Sequence, residues 1–256
     1  MPPLFITFEG IDGSGKSTHL RRAAEWLARH GVACRRTHEP GGTPLGDALR
    51  LLFLDPRWGA IDGTVELLML FASRRQHLLE VIEPALAAGE VVLCDRFTDS
   101  TRAYQGSGRG VPLALIDQVD LLATGGRRPD RTLLFDLPAA AARARRHAGG
   151  RGGRRSVAGV PGSLGDPGGP GLLGSAGVPG GPGGRQLAPA GGPGAADRLD
   201  AEGLDFYERV RQGFVEQARR EPLRFRIIES GGDPARTATQ VREALADLLP
   251  AGVVNA

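Results

Sequence analysis

The chain of 256 residues predicts an α/β fold: a parallel sheet covered by helices on both faces, with a glycine- and proline-rich insertion. Three observations predict it. Five short apolar runs alternate with segments of helical periodicity. The first run leads into Gly10-Ile11-Asp12-Gly13-Ser14-Gly15-Lys16-Ser17, which fits G-x-x-x-x-G-K-[ST], the phosphate-binding loop. The remaining polar candidates, Glu39 and Asp95-Arg96, also follow predicted strand ends, the edge of such sheets where ligands bind.

Residues 4–8 (LFITF) are apolar and β-prone, suited to a buried strand. After the loop, Leu20, Ala23, Ala24 and Leu27 recur at helical spacing, predicting a helix over 16–30 that Gly31 stops. A second strand over 32–38 ends in Glu39-Pro40-Gly41-Gly42-Thr43-Pro44, a run of turn formers. A short helix follows over 45–54, carrying Arg50, and a long one over 64–88, carrying Phe71 and Arg74. Residues 91–94 (VVLC) are continuously apolar, as in a strand buried on both faces, and deliver Asp95-Arg96 at its end. Further helices are predicted over 113–122, 139–147, 204–218 and 237–249, and further strands over 131–137 and 224–228.

In the loop, glycines let the backbone wrap a phosphate and aim its N–H groups inward, while the helix N-terminus adds partial positive charge. Gly10, Ile11, Asp12, Gly13, Ser14, Gly15, Lys16, Ser17 and Thr18 form the expected ATP-binding segment. Lys16 would reach the β- and γ-phosphates, and Ser17 would bind Mg²⁺. Lys16 is the only lysine of the chain; every other cationic side chain is arginine or histidine. A composition that has lost lysine elsewhere keeps it where a compact ammonium on a flexible stem is wanted.

The net charge of +3 is modest and does not by itself imply nucleic acid. Cys34 and Cys94 are too few for a disulfide framework or a metal pattern, and both read as small buried hydrophobes. The first residues lead straight into a strand without a basic segment, so no signal peptide is expected, and no apolar run would span a membrane. A soluble, cytoplasmic protein is expected. The chain reads as a single domain over 1–256, interrupted at about 149–196 by low-complexity sequence. There glycine recurs at every third position from Gly159 to Gly183, a collagen-like register. Proline never occupies the X position, and glycine this dense buries little surface, so a flexible loop is expected over a triple helix.

The phosphate loop alone says nucleoside triphosphate. No N-K-x-D motif accompanies it, which argues against a Ras-type GTPase. Phe8-Glu9-Gly10-Ile11-Asp12-Gly13, Glu39-Pro40-Gly41-Gly42-Thr43, Asp95-Arg96-Phe97 through Tyr104-Gln105-Gly106, Phe135-Asp136-Leu137-Pro138 and Asp197-Arg198-Leu199 resemble, in order, the signatures of the thymidylate kinase (dTMP kinase) family of P-loop nucleoside monophosphate kinases. The resemblance runs along the whole chain except the insertion. It implies a five-stranded parallel sheet, a homodimer, and Mg-ATP-dependent phosphorylation of dTMP to dTDP for dTTP synthesis, with no nucleic acid or membrane partner. The alternatives are a P-loop kinase for another nucleotide and a lid-impaired kinase fold acting as a scaffold.

The resemblance also implies roles. Arg96 matches the clamp on the dTMP phosphate, with a structural ion pair to Asp95 as its other reading. Asp95 matches a Mg²⁺ ligand through water, and Asp12 an acidic loop position near the acceptor. Glu39 and Arg50 match acceptor-side positions, Arg74 the arginine that hydrogen-bonds thymine, and Thr101 and Gln105 base-recognising positions. Tyr104 matches the tyrosine packed on the deoxyribose, and Phe71 stands in for a base-stacking phenylalanine that the family usually has one residue earlier, where this chain has Leu70. Core packing is the other reading of Tyr104 and Phe71. The loop carries Gly13 and Ser14 where some members have an arginine, so the lid would supply it: Arg198 first, with Arg145, Arg146, Arg151, Arg154 and Arg155 as further candidates.

Overall fold

The computed structural model describes residues 3–149 and 197–249. The expected flexible loop, its collagen-like register, and Arg151, Arg154 and Arg155 lie outside the described residues.

The elements, in chain order, are β1 (Leu4–Glu9), α1 (Lys16–Arg29), β2 (Cys34–His38), α2 (Pro44–Leu54), α3 (Gly63–His77), α4 (Glu83–Ala87), β3 (Val91–Asp95), α5 (Thr98–Thr101), α6 (Leu113–Thr124), β4 (Arg131–Asp136), α7 (Ala139–Gly149), α8 (Leu204–Arg220), β5 (Phe225–Glu229) and α9 (Pro234–Ala246). The five strands pair in parallel in the order β2-β3-β1-β4-β5. β1 is central, with Phe8 opposite Asp95 of β3 on one side and Leu133 of β4 on the other. Its carboxyl end, and the loop that follows, therefore open where the chain order diverges to the two sides of the sheet.

Both faces are covered. Leu4, Ile6 and Phe8 pack with Leu20, Ala23 and Leu27 of α1 and Val241 and Leu245 of α9. On the other face Leu134 packs with Phe206, Val210 and Phe214 of α8, and Phe5 packs with Leu78, Ile82 and Phe97. The helix starts carry oxygen caps: Thr43, Asp62 and Asp233 accept from backbone N–H groups in the first turns of α2, α3 and α9. Pro234 at the first position of α9 places its start three residues before the predicted Thr237, since proline at that position loses no helical hydrogen bond.

Other boundaries differ for physical reasons. β2 begins at Cys34 and is an edge strand, so Cys34 is half-buried whereas Cys94 in β3 is buried. The predicted helix over 64–88 runs as α3, a π-helical stretch Leu78–Ile82, and α4. A second π-helical stretch, Arg102–Gly108, extends α5 and packs against α8. Two 3₁₀ turns, Pro56–Trp58 and Arg198–Ala201, have no periodic signal and were not expected.

The contact between the second π stretch and α8 rests on Gly213. A Cβ there would lie 2.3 Å from Ser107 Oγ and 2.7 Å from its Cβ. Overpacking costs about 1–3 kcal/mol, against roughly 0.5–1 kcal/mol that alanine gains in a helix. Gly213→Ala is therefore expected to lower the melting temperature; an unchanged or raised value would show that α8 can back away freely.

Candidate active site

The loop between β1 and α1 is shaped by glycines that nothing else can replace. Gly10 has φ 134° and Gly13 φ 88°. A Cβ at Gly10 would stand 2.5 Å from the Phe135 carbonyl oxygen, and one at Gly13 2.4 Å from that of Ala142. The loop thus lies directly on β4 and α7. Ile11 and Ser14 are buried, Gly15 caps α1, and Thr18 is exposed on its first turn.

Lys16 is buried, with Nζ 3.3 Å from Asp12 Oδ1 and 4.0 Å from Asp95 Oδ1. The Ser17 hydroxyl donates to Asp95 Oδ2. The other oxygen, Asp95 Oδ1, is buried without a hydrogen-bond partner.

β3 delivers Arg96 at its end with φ 76°, a left-handed conformation that a non-glycine residue adopts only when its surroundings hold it. The Arg96 N–H continues the ladder to Phe8 O at 3.1 Å. The next N–H, of Phe97, donates to Glu9 Oε1 at 2.7 Å, and Ser100 Oγ donates to Glu9 Oε2 at 2.5 Å. The Arg96 guanidinium donates to Ser100 Oγ (2.9 Å), Asp12 Oδ1 (2.7 Å) and Tyr104 Oη (3.2 Å), and lies over the Tyr104 ring. Its ion-pair partner is Asp12 rather than Asp95, because the left-handed turn swings the side chain across to the loop. Desolvation opposes ionisation of Asp12, but Arg96 and Lys16 outweigh it and hold the carboxyl far below the usual carboxylate range.

A cleft opens beside this group. Asp12, Glu39, Arg50, Arg74, Arg96, Thr101, Tyr104 and Gln105, all singled out in the sequence, line it together. Arg74 Nε donates to Glu39 Oε2 at 2.6 Å and its Nη2 to Thr101 Oγ at 3.0 Å; Nη1 is buried and has no partner. His77 Nδ1 stands 2.9 Å from the other Glu39 oxygen. Burial would raise the Glu39 pKa, but Arg74 and His77 lower it. Arg50 donates to the Pro40 carbonyl at 3.0 Å.

Two predicted residues lie elsewhere. Phe71 packs with Leu67, Val111 and Ile116 and carries the Arg74 guanidinium on its ring, 4.5 Å away, so it does not line the cleft. Leu70 and Phe97 do. Arg198 is buried away from the loop: it pairs with Glu66 at 2.7 Å, donates to Phe53 O at 3.0 Å and covers the Phe53 ring. The flanking arginine beside the loop is Arg146. Its Cγ would lie 3.0 Å from a Cβ on Gly13, and its guanidinium donates to Asp200 and the Tyr207 hydroxyl, both at 3.0 Å.

A family model described as thymidylate kinase matches residues 8–156, more than half of the chain. The chain belongs to the thymidylate kinase family. A thymidylate kinase of Desulfosudis oleivorans is 39% identical over 242 residues, 94% of this chain and 96% of that one. One of Ectopseudomonas mendocina is 40% identical over 250 residues, 98% of this chain and 96% of its own. The crystal structure of thymidylate kinase from Ehrlichia chaffeensis superposes with a TM-score of 0.64 at 30% identity, over 96% of this chain and 99% of that one.

Glu9, beneath Arg96, stands in the sequence only as part of the signature over residues 8–13, with no role of its own assigned to it. It is fully buried. Desolvation and then Asp99 push its carboxyl from 4.5 up to about 8, although Ser100, Arg96 and the Phe97 N–H pull the other way. A carboxyl raised on folding stabilises the fold fully below its unfolded pKa, and that contribution is lost as pH rises through the folded value. Wild type should therefore lose stability relative to Glu9→Gln between about pH 5 and about pH 8.5. Melting curves of both proteins across this range test it, and a difference that stays flat would refute the assignment.

Proposed function

We propose that the chain transfers the γ-phosphoryl group of ATP to dTMP, giving dTDP and ADP, the reaction of the family to which it belongs. The observation that carries this reading is one cleft that joins the phosphate loop, through Asp12 and Arg96, to the buried polar groups of Arg74, Thr101 and Gln105.

The acceptor phosphate is largely dianionic at neutral pH, since its second pKa is near 6. Its oxygen needs no strong base, and the chemistry reduces to bringing two polyanions together and spreading their charge. In this reading the loop N–H groups and Lys16 hold the ATP phosphates. Arg96 turns its fork from Asp12 to the acceptor phosphate, with Arg50 as a second cation. Tyr104 packs on the deoxyribose, and Arg74, Thr101 and Gln105 meet the base. Leu70 and Phe97 supply the apolar wall first assigned to Phe71. Arg146 takes the charge-stabilising role first given to Arg198, since Arg146 stands beside Gly13 of the phosphate loop whereas Arg198 is buried on Glu66 and Phe53 away from it.

A magnesium ion is part of the proposal. Among the described residues no cluster of three or more His, Cys, Asp or Glu could cage a metal. Ser17 and Asp95 fit an ion held by few protein oxygens, and Asp95 Oδ1, which has no hydrogen-bond partner, can ligate it or accept a hydrogen bond from its water. Bound there, Mg²⁺ would neutralise charge on the β- and γ-phosphate oxygens.

The reading includes a homodimer, supported by the exposed Leu45 and Leu51 of α2 and Val65 and Leu68 of α3. It also places the enzyme in the cytoplasm; among the described residues no helix is long and apolar enough to cross a membrane.

With Mg-ATP, turnover across dTMP, dUMP, dCMP, dGMP and AMP should favour dTMP. Lys16→Met should lower kcat by about a hundredfold or more. Arg96→Met should raise KM for dTMP by about tenfold or more with KM for ATP nearly unchanged. Preference for another acceptor, or equal loss in both KM values, would overturn the assignment.

A further inference from the structure

Glu66 lies in the first turn of α3, fully buried, and touches neither the loop nor Arg96. Its two oxygens face different groups. Oε1 lies 2.7 Å from Arg198 Nη1 and 3.3 Å from Arg109 Nη2. Oε2 accepts from Gln105 Nε2 at 2.8 Å and, at 3.5 Å, from Arg109 Nε. Both guanidiniums are anchored elsewhere too: Arg198 on Phe53 O and the Phe53 ring, Arg109 on Glu202 at 2.6 Å and the Phe206 ring.

An amide can present either its oxygen or its NH₂, and which one faces a site is decided by its other partner. A carboxylate accepts only. Glu66 therefore takes the NH₂ of Gln105, and Gln105 Oε1 is left buried with no partner in a side chain that lines the cleft. Arg74 Nη1, also partnerless and buried, supplies a donor in the same cleft.

We propose that Glu66 is a specificity-determining positioning residue: by fixing the direction of the Gln105 amide it makes the cleft select a pyrimidine whose N3 carries a proton over one whose N3 is a bare acceptor. This rests on the reading of the cleft as the acceptor site. A uracil-type edge offers N3–H between two carbonyl oxygens, matching one acceptor and one donor. A cytosine-type edge sets its N3 lone pair against Gln105 Oε1, and two buried acceptors facing each other leave both unsatisfied.

Glu66→Gln inverts the arrangement. Arg198, which faces Oε1 alone at 2.7 Å, claims the new carbonyl oxygen, so the new NH₂ faces Gln105. The Gln105 amide then turns its oxygen to that group and its NH₂ to the cleft.

The test is calorimetric affinity for dUMP and dCMP, which differ on this edge, with dTMP alongside, in wild type and Glu66→Gln. The dUMP-to-dCMP affinity ratio should fall by about tenfold or more in the variant. The dTMP-to-dUMP ratio, which reads only the methyl group, should stay constant. A purely structural role would weaken all three ligands alike and leave both ratios unchanged, which would overturn the proposal. If the single variant does not fold, Glu66→Gln with Arg109→Gln removes a carboxylate and a guanidinium together and carries the same expectation. A wild-type chain that selects dUMP over dCMP but does not turn over dTMP would remove the proposed function while leaving this inference in place.

Discussion

Charge balance inside the core is the constraint on which the site depends. A cleft for two phosphorylated ligands needs cations that do not have to be gathered when the ligand arrives. Held in a low-dielectric interior, each guanidinium requires a carboxylate, since an unpaired buried charge costs several kcal/mol. The chain meets this pair by pair: Arg74 with Glu39, Arg96 with Asp12, Arg198 with Glu66 and Arg224 with Asp99, all at 2.6–2.7 Å. Arginine suits these places because its planar fork spreads several hydrogen bonds over rigid geometry. Lys16 is the exception, and it sits where reach along a flexible stem matters more than a fixed plane.

The sheet order turns these pairs into one site. With β1 between β3 and β4, the loop after β1 and the Asp95-Arg96 turn after β3 emerge side by side. The left-handed backbone of Arg96 brings its side chain across that gap, and Glu9 beneath it bonds both the Phe97 N–H and Ser100 Oγ. Backbone strain of this kind costs about 1–3 kcal/mol and persists only where neighbours over-determine it. Local strain, strand order and a buried acid are thus parts of one device that aims a single guanidinium.

The strands, the phosphate loop and eight of the cleft-lining side chains were legible because each carries a local signal: apolar runs, glycine spacing, or a motif at a strand end. Burial of charge has no such signal. Glu66 sits in the first turn of a helix, where an acid is ordinary on dipole grounds, and nothing nearby in sequence announces Arg109, Arg198 and Gln105 around it. Leu70 and Phe71 show another limit. Periodicity places both on α3, but α6 and the residues leading into it decide between them: Val111 and Ile116 draw the phenylalanine into their own cluster and leave leucine to the cleft. The π stretches were likewise out of reach, because their registers depend on packing against α8 and β3 rather than on local preference.

Arg198 ties these threads together. Its sequence position, immediately after the glycine-rich insertion, made it a natural cation for the transferred phosphoryl group, yet its charge is spent on Glu66. The same pairing orients Gln105 and keeps the 3₁₀ turn Arg198–Ala201 seated against Phe53. The first residues after the insertion are thereby fastened to the base-facing side of the cleft, while Arg146, on the helix before it, stands beside Gly13 of the phosphate loop and donates to Asp200 and Tyr207. The two flanks of residues 150–196 are thus tied directly to each other by Arg146 and Asp200, so their positions do not depend on the length of chain between them. Loop-closure entropy grows only by about 0.6 kcal/mol per doubling of length, which is why a catalytic frame of this kind can carry so long an insertion there.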